Sequence, residues 1–295
     1  MAHREQGRNA TRRPGGDRVV RCVAFLLMLA AGVPSAAQNS VPIQTLCILD
    51  FQRLGDDARS DWLSQGLADM LIDTMNSTNH YLVVERKHLK AMLREHDLAA
   101  SGPVDTGTAV RQARLAKADL LIQGSFARQG DDLIVQLRMI RVSDQKVLGQ
   151  ATWTDRYDKV LSAPRALSEK LQASLGHPLD PRRLDGIEKR IPATIDVAQS
   201  YYQGVRAFDD GNYPEALAHY LDAARHAGDF RKAHPAVLEM YYLLGQSEHA
   251  VLLARDLAQS CEQRGDVPCA LEYYFTGAQT SLDPLHDPKA ASDVL

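Results

Sequence analysis

Three carboxylates, Asp50, Asp56 and Asp57, follow the apolar run Leu46-Cys47-Ile48-Leu49, at a strand end of the kind where α/β proteins keep catalytic acids. Turn and cap duty accounts for them as well, and no Gly-rich phosphate loop stands beside them. Glu85 and His88, three apart, with Glu95-His96 further along, have the residue types of a metal site. His88 and His96 point in different directions on a helix, and the second ligand-bearing segment that a metal would need is missing. A solvated helix face is the plainer reading. No nucleophile is paired with a base and no Walker loop occurs, so the sequence carries no catalytic, metal or cofactor constellation, and a hydrolase is disfavoured. Glu85 and Arg86 sit where a strand hands over to a helix. There an ion pair pinning the corner is favoured over a partner contact. Cys261 and Cys269 flank a turn between two predicted helices, and a disulfide is favoured over two buried thiols if the chain is exported. Cys47 lies in an apolar strand and reads as an inert core residue.

The elements that position these residues centre on Tyr81–Leu93. Tyr81 to Val84 form a short buried strand, and Leu89, Met92 and Leu93 then recur at helical spacing. Upstream, a strand from Leu46 is followed by a Gly55-Asp56-Asp57 turn. Next comes a helix bearing Trp62, Leu63, Leu67, Met70, Leu71 and Met75, for which Ser60 is the expected N-cap. Downstream, Ser101-Gly102-Pro103 breaks the chain and Thr106 is the expected cap of a third helix. Leu120 to Phe126 reads as a strand, Gln129 to Asp132 as a hairpin turn, and Leu133, Val135, Leu137 and Met139 alternate along the return strand. A strand from Lys146 to Thr154 and a helix with Leu167, Leu171 and Leu175 close the unit. The order β-α-β-α-α-β-β-β-α predicts an α/β sandwich with a mixed sheet.

The 295-residue chain, 45% hydrophobic, has enough apolar material for a core and a length that suggests two domains. Arg12, Arg13, Arg18 and Arg21 precede the uncharged run Cys22–Val33, and Ser35-Ala36-Ala37 supplies small residues, so a cleaved export leader over 1–37 is expected. The apolar run is shorter than the ~20 residues that span a bilayer. Arg12-Arg13 lacks the Phe-Leu-Lys context of a twin-arginine leader. No Cys stands at the cleavage point, so a lipid anchor is not indicated, and the true start can lie downstream of Met1. Without the leader 28 basic residues face 35 acidic ones. A mildly acidic body lacks the basic stripe that nucleic acid requires. The further divisions are an α/β domain over 45–176, a linker over 177–196, helical repeats over 197–285 and a tail over 286–295.

Gly66-Leu67-Ala68-Asp69-Met70-Leu71, Val83-Val84-Glu85-Arg86 with Leu89 and Leu93, and Ala118-Asp119 leading to Gly124-Ser125-Phe126 together resemble the CsgG family, from about Thr45 to Leu175. A TolB-type N-terminal domain looks similar but usually carries a different second strand. The CsgG resemblance implies a part in assembly or secretion of surface structures such as curli. Family members that form a pore carry additional long hairpins that build a membrane barrel, with strands of ~9–11 residues. Here helices and a Gly-Pro turn fill the interval between the second and third strands. The later hairpins read as short and needed for the sheet, so no pore is expected.

Beyond the linker, Gly211-Asn212-Tyr213-Pro214-Glu215-Ala216 recurs as Gly245-Gln246-Ser247-Glu248-His249-Ala250, at the 34-residue period of tetratricopeptide repeats. Gly265 to Ala270 echoes the turn out of period, as a cap would. Repeat register places Ala198, Tyr201, Val205 and Phe208 on the concave face of the first helix, and Glu239, Tyr242 and Leu243 on the matching face of the next. That face is a candidate protein-binding groove, with packing in the core as the competing reading. The expectation is a non-enzymatic periplasmic protein with protein partners in the envelope, self-association, no cofactor, and peripheral contact with the outer membrane. The alternative is a periplasmic TolB-like binding or sensory module that recognises a small ligand or peptide.

Overall fold

In the computed structural model, β1 (Gln44–Ile48) is an interior strand of a mixed sheet, and its C-terminal half is apolar on both faces. Leu46 and Ile48 enter one core, whereas Cys47 and Leu49 enter another on the opposite side. The structure describes residues 43–96, 105–177, 179, 182, 190–228 and 230–282. The expected leader, the Ser101-Gly102-Pro103 break, most of the linker and the tail lie outside them.

Strand β2 (Gln52–Leu54) follows, then a 3-10 turn at Ala58–Ser60, helix α1 (Trp62–Ser77), β3 (Tyr81–Val83), α2 (Arg86–Glu95) and α3 (Thr106–Leu115). Three ten-residue strands come next, β4 (Leu120–Gln129), β5 (Asp132–Arg141) and β6 (Val147–Arg156), and α4 (Ala163–Ser174) completes the α/β part. The sheet order is β3-β1-β4-β5-β6. β1 runs parallel to both β3 and β4, and β4, β5 and β6 are antiparallel neighbours. Helices α1 and α4 cover one face and α2 and α3 the other. This is the expected mixed-sheet α/β sandwich followed by a helical module.

Four local readings change. β2 is an unforeseen strand: its polar sequence gives no alternation, yet it pairs in parallel with the far half of β4. Between β1 and β2 the Phe51 ring lies over Gly124, where a Cβ would come within 2.2 Å of it. The cap of α1 is Asp61, and Ser60 is buried in the 3-10 turn that Asp57 caps by accepting from the Arg59 amide at 3.2 Å. Asp105, one residue before Thr106, caps α3 by accepting from Thr108 N at 3.0 Å. The hairpin strands β4 to β6 are also longer than expected, though each is paired within the sheet.

Helices α5 (Ile195–Asp209), α6 (Tyr213–Arg225), α7 (Ala233–Leu243), α8 (Ser247–Gln263) and α9 (Val267–Leu282) form the second part. Gly211, Gly245 and Gly265 adopt φ of 77°, 69° and 74° at three helix-to-helix turns, a backbone that a Cβ disfavours. The two parts share one core. A single apolar cluster runs from the sheet through Leu63, Leu67 and Met70 of α1 to Tyr201, Tyr202 and Val205 of α5 and on to Met240 of α7. Helix α1 is therefore buried nearly all round, as a helix packed on two sides must be. Among the described residues no helix is long and apolar enough to cross a membrane.

Candidate binding cleft and its charged seam

Gly66 allows α1 and α5 to meet: the rings of Trp62 and Tyr202 stack with centroids 6.1 Å apart, and both lie 3.0 Å from the position of a Cβ on Gly66. One turn on, Asp69 accepts from the Tyr202 hydroxyl at 3.1 Å and pairs with Lys232 Nζ at 2.7 Å. Lys232 also reaches Asp73 at 2.6 Å, and Arg190 stands 3.8 Å from the same carboxylate. Burial acts to raise the Asp69 carboxyl, but the charge and hydrogen bond of Lys232, with Arg86 and Tyr202, bring it below its ordinary value. Asp73 goes the other way, because burial and the Asp69 charge outweigh Lys232. Two aspartates of the GLADML motif helix are thus bound to a lysine about 160 residues later in the chain.

Arg86 faces inward and its side chain is 11% exposed, whereas the Glu85 side chain is 72% exposed. Its partners are Asp209 at the end of α5, at 3.2 Å, and Asp50 after β1, at 3.9 Å. The expected Glu85–Arg86 pair is therefore replaced by a pair across the seam, because Glu85 is the extended N-cap residue of α2 and its carboxylate points to His88 at 3.9 Å. Lys90 bridges Asp50, at 3.3 Å, and Asp209, and Gln65 donates to Asp209 at 3.1 Å. Asp50, the first of the candidate acids, is held as a structural anion, and Asp57 is a cap. Lys87 pairs with Glu239 and lies 5.5 Å over the Phe208 ring.

The repeat-face residues divide. Tyr201 is 9% exposed and meets the rings of Tyr202, Tyr220 and Phe230 with centroids 5.0 to 5.4 Å away. Tyr201, Val205 and Ala198 are core rather than an open groove, because the connection between α6 and α7 folds Phe230 over that face. Phe208 is half-buried against Tyr213 at 5.7 Å, Tyr242 is half-buried, and Glu239 and Leu243 are exposed. Cys261 and Cys269 are joined in a disulfide that ties α8 to α9. The Cys47 thiol is buried, and burial pushes its pKa up to about 12.

Between α2 and α5 the seam opens into a cleft of about 840 Å³, which no spacing or motif announces. Its lining includes Leu49, Asp50 and Phe51 just after β1, the start of α1, and Gln123-Gly124 of β4. The connection leaving β1 goes to β3 on one side, and the chain then returns to β4 on the other, so the cleft lies at the reversal point where open α/β sheets bind ligands. Six cations, Arg53, Arg59, Arg86, Lys90, Arg94 and Arg206, line it against Asp50, Asp61, Asp209 and Asp210.

Among solved structures, the chain is similar to the LpoB C-terminal domain from Salmonella enterica at 12% identity. That likeness covers 45% of this chain and 92% of that one, with a TM-score of 0.33. It is similar to the PelC dodecamer from Paraburkholderia phytofirmans at 14% identity, over 47% and 90% of the two chains, with a TM-score of 0.31. Lipoprotein GNA1162 from Neisseria meningitidis matches at 12% identity, over 38% and 80%, with a TM-score of 0.31. No curated protein matches. Residues 45–130, from β1 through the β4 hairpin turn and including the Gly66, Asp69 and Arg86 positions of the seam, match the model of the family described as curli production assembly/transport component CsgG.

Proposed function

We propose that this protein is a non-enzymatic, exported component of the cell envelope that serves the assembly or secretion of a cell-surface structure, curli-like fibres included. It works in the periplasm, with peripheral contact to the outer membrane, through self-association and through protein binding by its helical module. The observation that carries this reading is the family match over residues 45–130. The helical module is read as tetratricopeptide-type: Gly211 and Gly245, 34 apart, both turn with positive φ, and Ala216 and Ala250 are both fully buried. Its partner surface is then Phe208, Glu239, Tyr242 and Leu243. Affinity capture of the full chain from envelope fractions, with the complex sized in the same experiment, tests the proposal. An oligomer that retains envelope proteins is expected. A monomer that retains none refutes it.

A further inference from the structure

Helix α9 is apolar on two sides, and within the chain only one of them is used. On the inner side Ala270 is buried, and Tyr273 lies against Tyr241 of α7 and Leu253 and Leu257 of α8. Val267, Leu271 and Phe275 follow at four-residue steps, which sets them in one row roughly a third of a turn from that side. They are 59%, 62% and 65% exposed, and among the described residues no other helix has more than one exposed large apolar side chain. A stack of helical repeats stays in solution by presenting a polar outer face on its last helix. Helix α9 is the last described helix and was expected as a cap, yet it presents the face of an inner repeat helix.

The chemistry of the row selects its occupant. Among its sixteen residues α9 has one charge, Glu272, and no Lys or Arg. Helices that lie on lipid flank their apolar row with basic residues, so a membrane surface is a poor match. A second α9 brings the same uncharged row. Antiparallel pairing about a two-fold axis at Leu271 sets Val267 of each copy against Phe275 of the other, and Leu271 against its own copy. Small then faces large along the seam, whereas parallel pairing would set Phe275 on Phe275. Glu272, about a quarter of a turn from Leu271, stays at the wet rim. A sixteen-residue helix is ~24 Å long, and α9 with the flank of α8 is about two helix diameters wide. Each copy then covers roughly 500 Å², or about 1,000 Å² in all, the lower bound for a specific interface. The dimer is therefore weak and reversible.

We infer that α9 forms the interface of a two-fold, antiparallel dimer of this chain, with Val267, Leu271 and Phe275 as its apolar seam. The inference gives an interface to the self-association proposed above and rests on that reading. The test follows the full mature chain by sedimentation velocity over roughly 1–100 μM, around the ~10 μM dissociation constant that an interface of this size supplies. Leu271→Asp should weaken association at least tenfold, because it sets two carboxylates against each other on the axis. Its melting temperature at ~1 μM, where the unaltered chain is monomeric, should not change, since the side chain is exposed in the monomer. Val267→Lys and Phe275→Glu should each weaken association at least tenfold. The double variant should associate more tightly than either, because each ammonium then faces a carboxylate of the other copy. Within one copy the two positions are ~12 Å apart along the helix, so the recovery cannot arise inside it. A chain that stays monomeric across the range, an oligomer that the single substitutions leave intact, or a double variant no tighter than the singles overturns the inference. Retention on phosphatidylglycerol vesicles that Leu271→Asp abolishes also overturns it, by assigning the row to a lipid surface. An oligomer indifferent to the substitutions removes this interface and leaves the proposed function standing, whereas an unaltered chain that is monomeric and captures no envelope protein ends both.

Discussion

Lys232→Met removes the ammonium that faces Asp69 at 2.7 Å and Asp73 at 2.6 Å while keeping an apolar stem in its place. The three side chains are 25%, 20% and 8% exposed, so two carboxylates are left largely out of water without their lysine. Breaking a buried pair costs ~3–5 kcal/mol, and the partial exposure puts the expectation at the lower end, about 3 kcal/mol. For a chain of this size each kcal/mol moves the melting temperature by ~2–4 °C, so the variant should melt about 6–12 °C earlier at pH 7. The pH dependence separates charge from packing. In the native protein Asp69 is held below 3.8 and stabilises the fold above that pH, with the contribution lost as pH falls through its folded value. Asp73 is raised above 3.8, so its contribution is full below that pH and is lost as pH rises through its folded value. Without Lys232 both carboxyls rise, and near pH 4 protons take over part of the lysine's role. The deficit should therefore be larger at pH 7 than at pH 4, and Asp69→Asn in the Lys232→Met background should recover part of it. Calorimetric melting at both pH values decides. A deficit below about 1 kcal/mol, or one that does not change with pH, refutes the charge argument.

Gly124→Ala drives a Cβ into the Phe51 ring and should lower stability by ~1–3 kcal/mol, read as the urea midpoint; an unchanged midpoint shows that the ring can move aside. Tyr201→Ala should cost ~3–5 kcal/mol of stability as a core truncation. Tyr242→Ala should instead weaken envelope-partner capture by ~2 kcal/mol or more with little change in melting; the opposite assignment of effects refutes the proposed α7 surface. N-terminal sequencing of the exported protein should find the mature start at or near Gln38, and a retained leader sinks that expectation.

Element order was readable because the apolar period changes from two to about four at Val84, and because turn residues separate the runs that follow. The deep burial of Cys47 was readable too, since the run Leu46-Cys47-Ile48-Leu49 is apolar at each position and must be covered on both faces. β2 was not: its apolar neighbours are few, and it exists because β4 continues past the end of β1 and offers unpaired backbone. Spacing placed Tyr201 on one face of α5 but carried no information about which face would be covered. Phe230, 29 residues later, decided that. Glu85 and Arg86 stood out as neighbours, yet Arg86 pairs with a carboxylate 123 positions away, which only the packing of α2 against the end of α5 brings near. The cleft is of the same kind. Its cations come from β2, the 3-10 turn after it, α2 and α5, and each reads in sequence as an ordinary solvated charge. Their clustering becomes a local property only when these separate elements enclose one space.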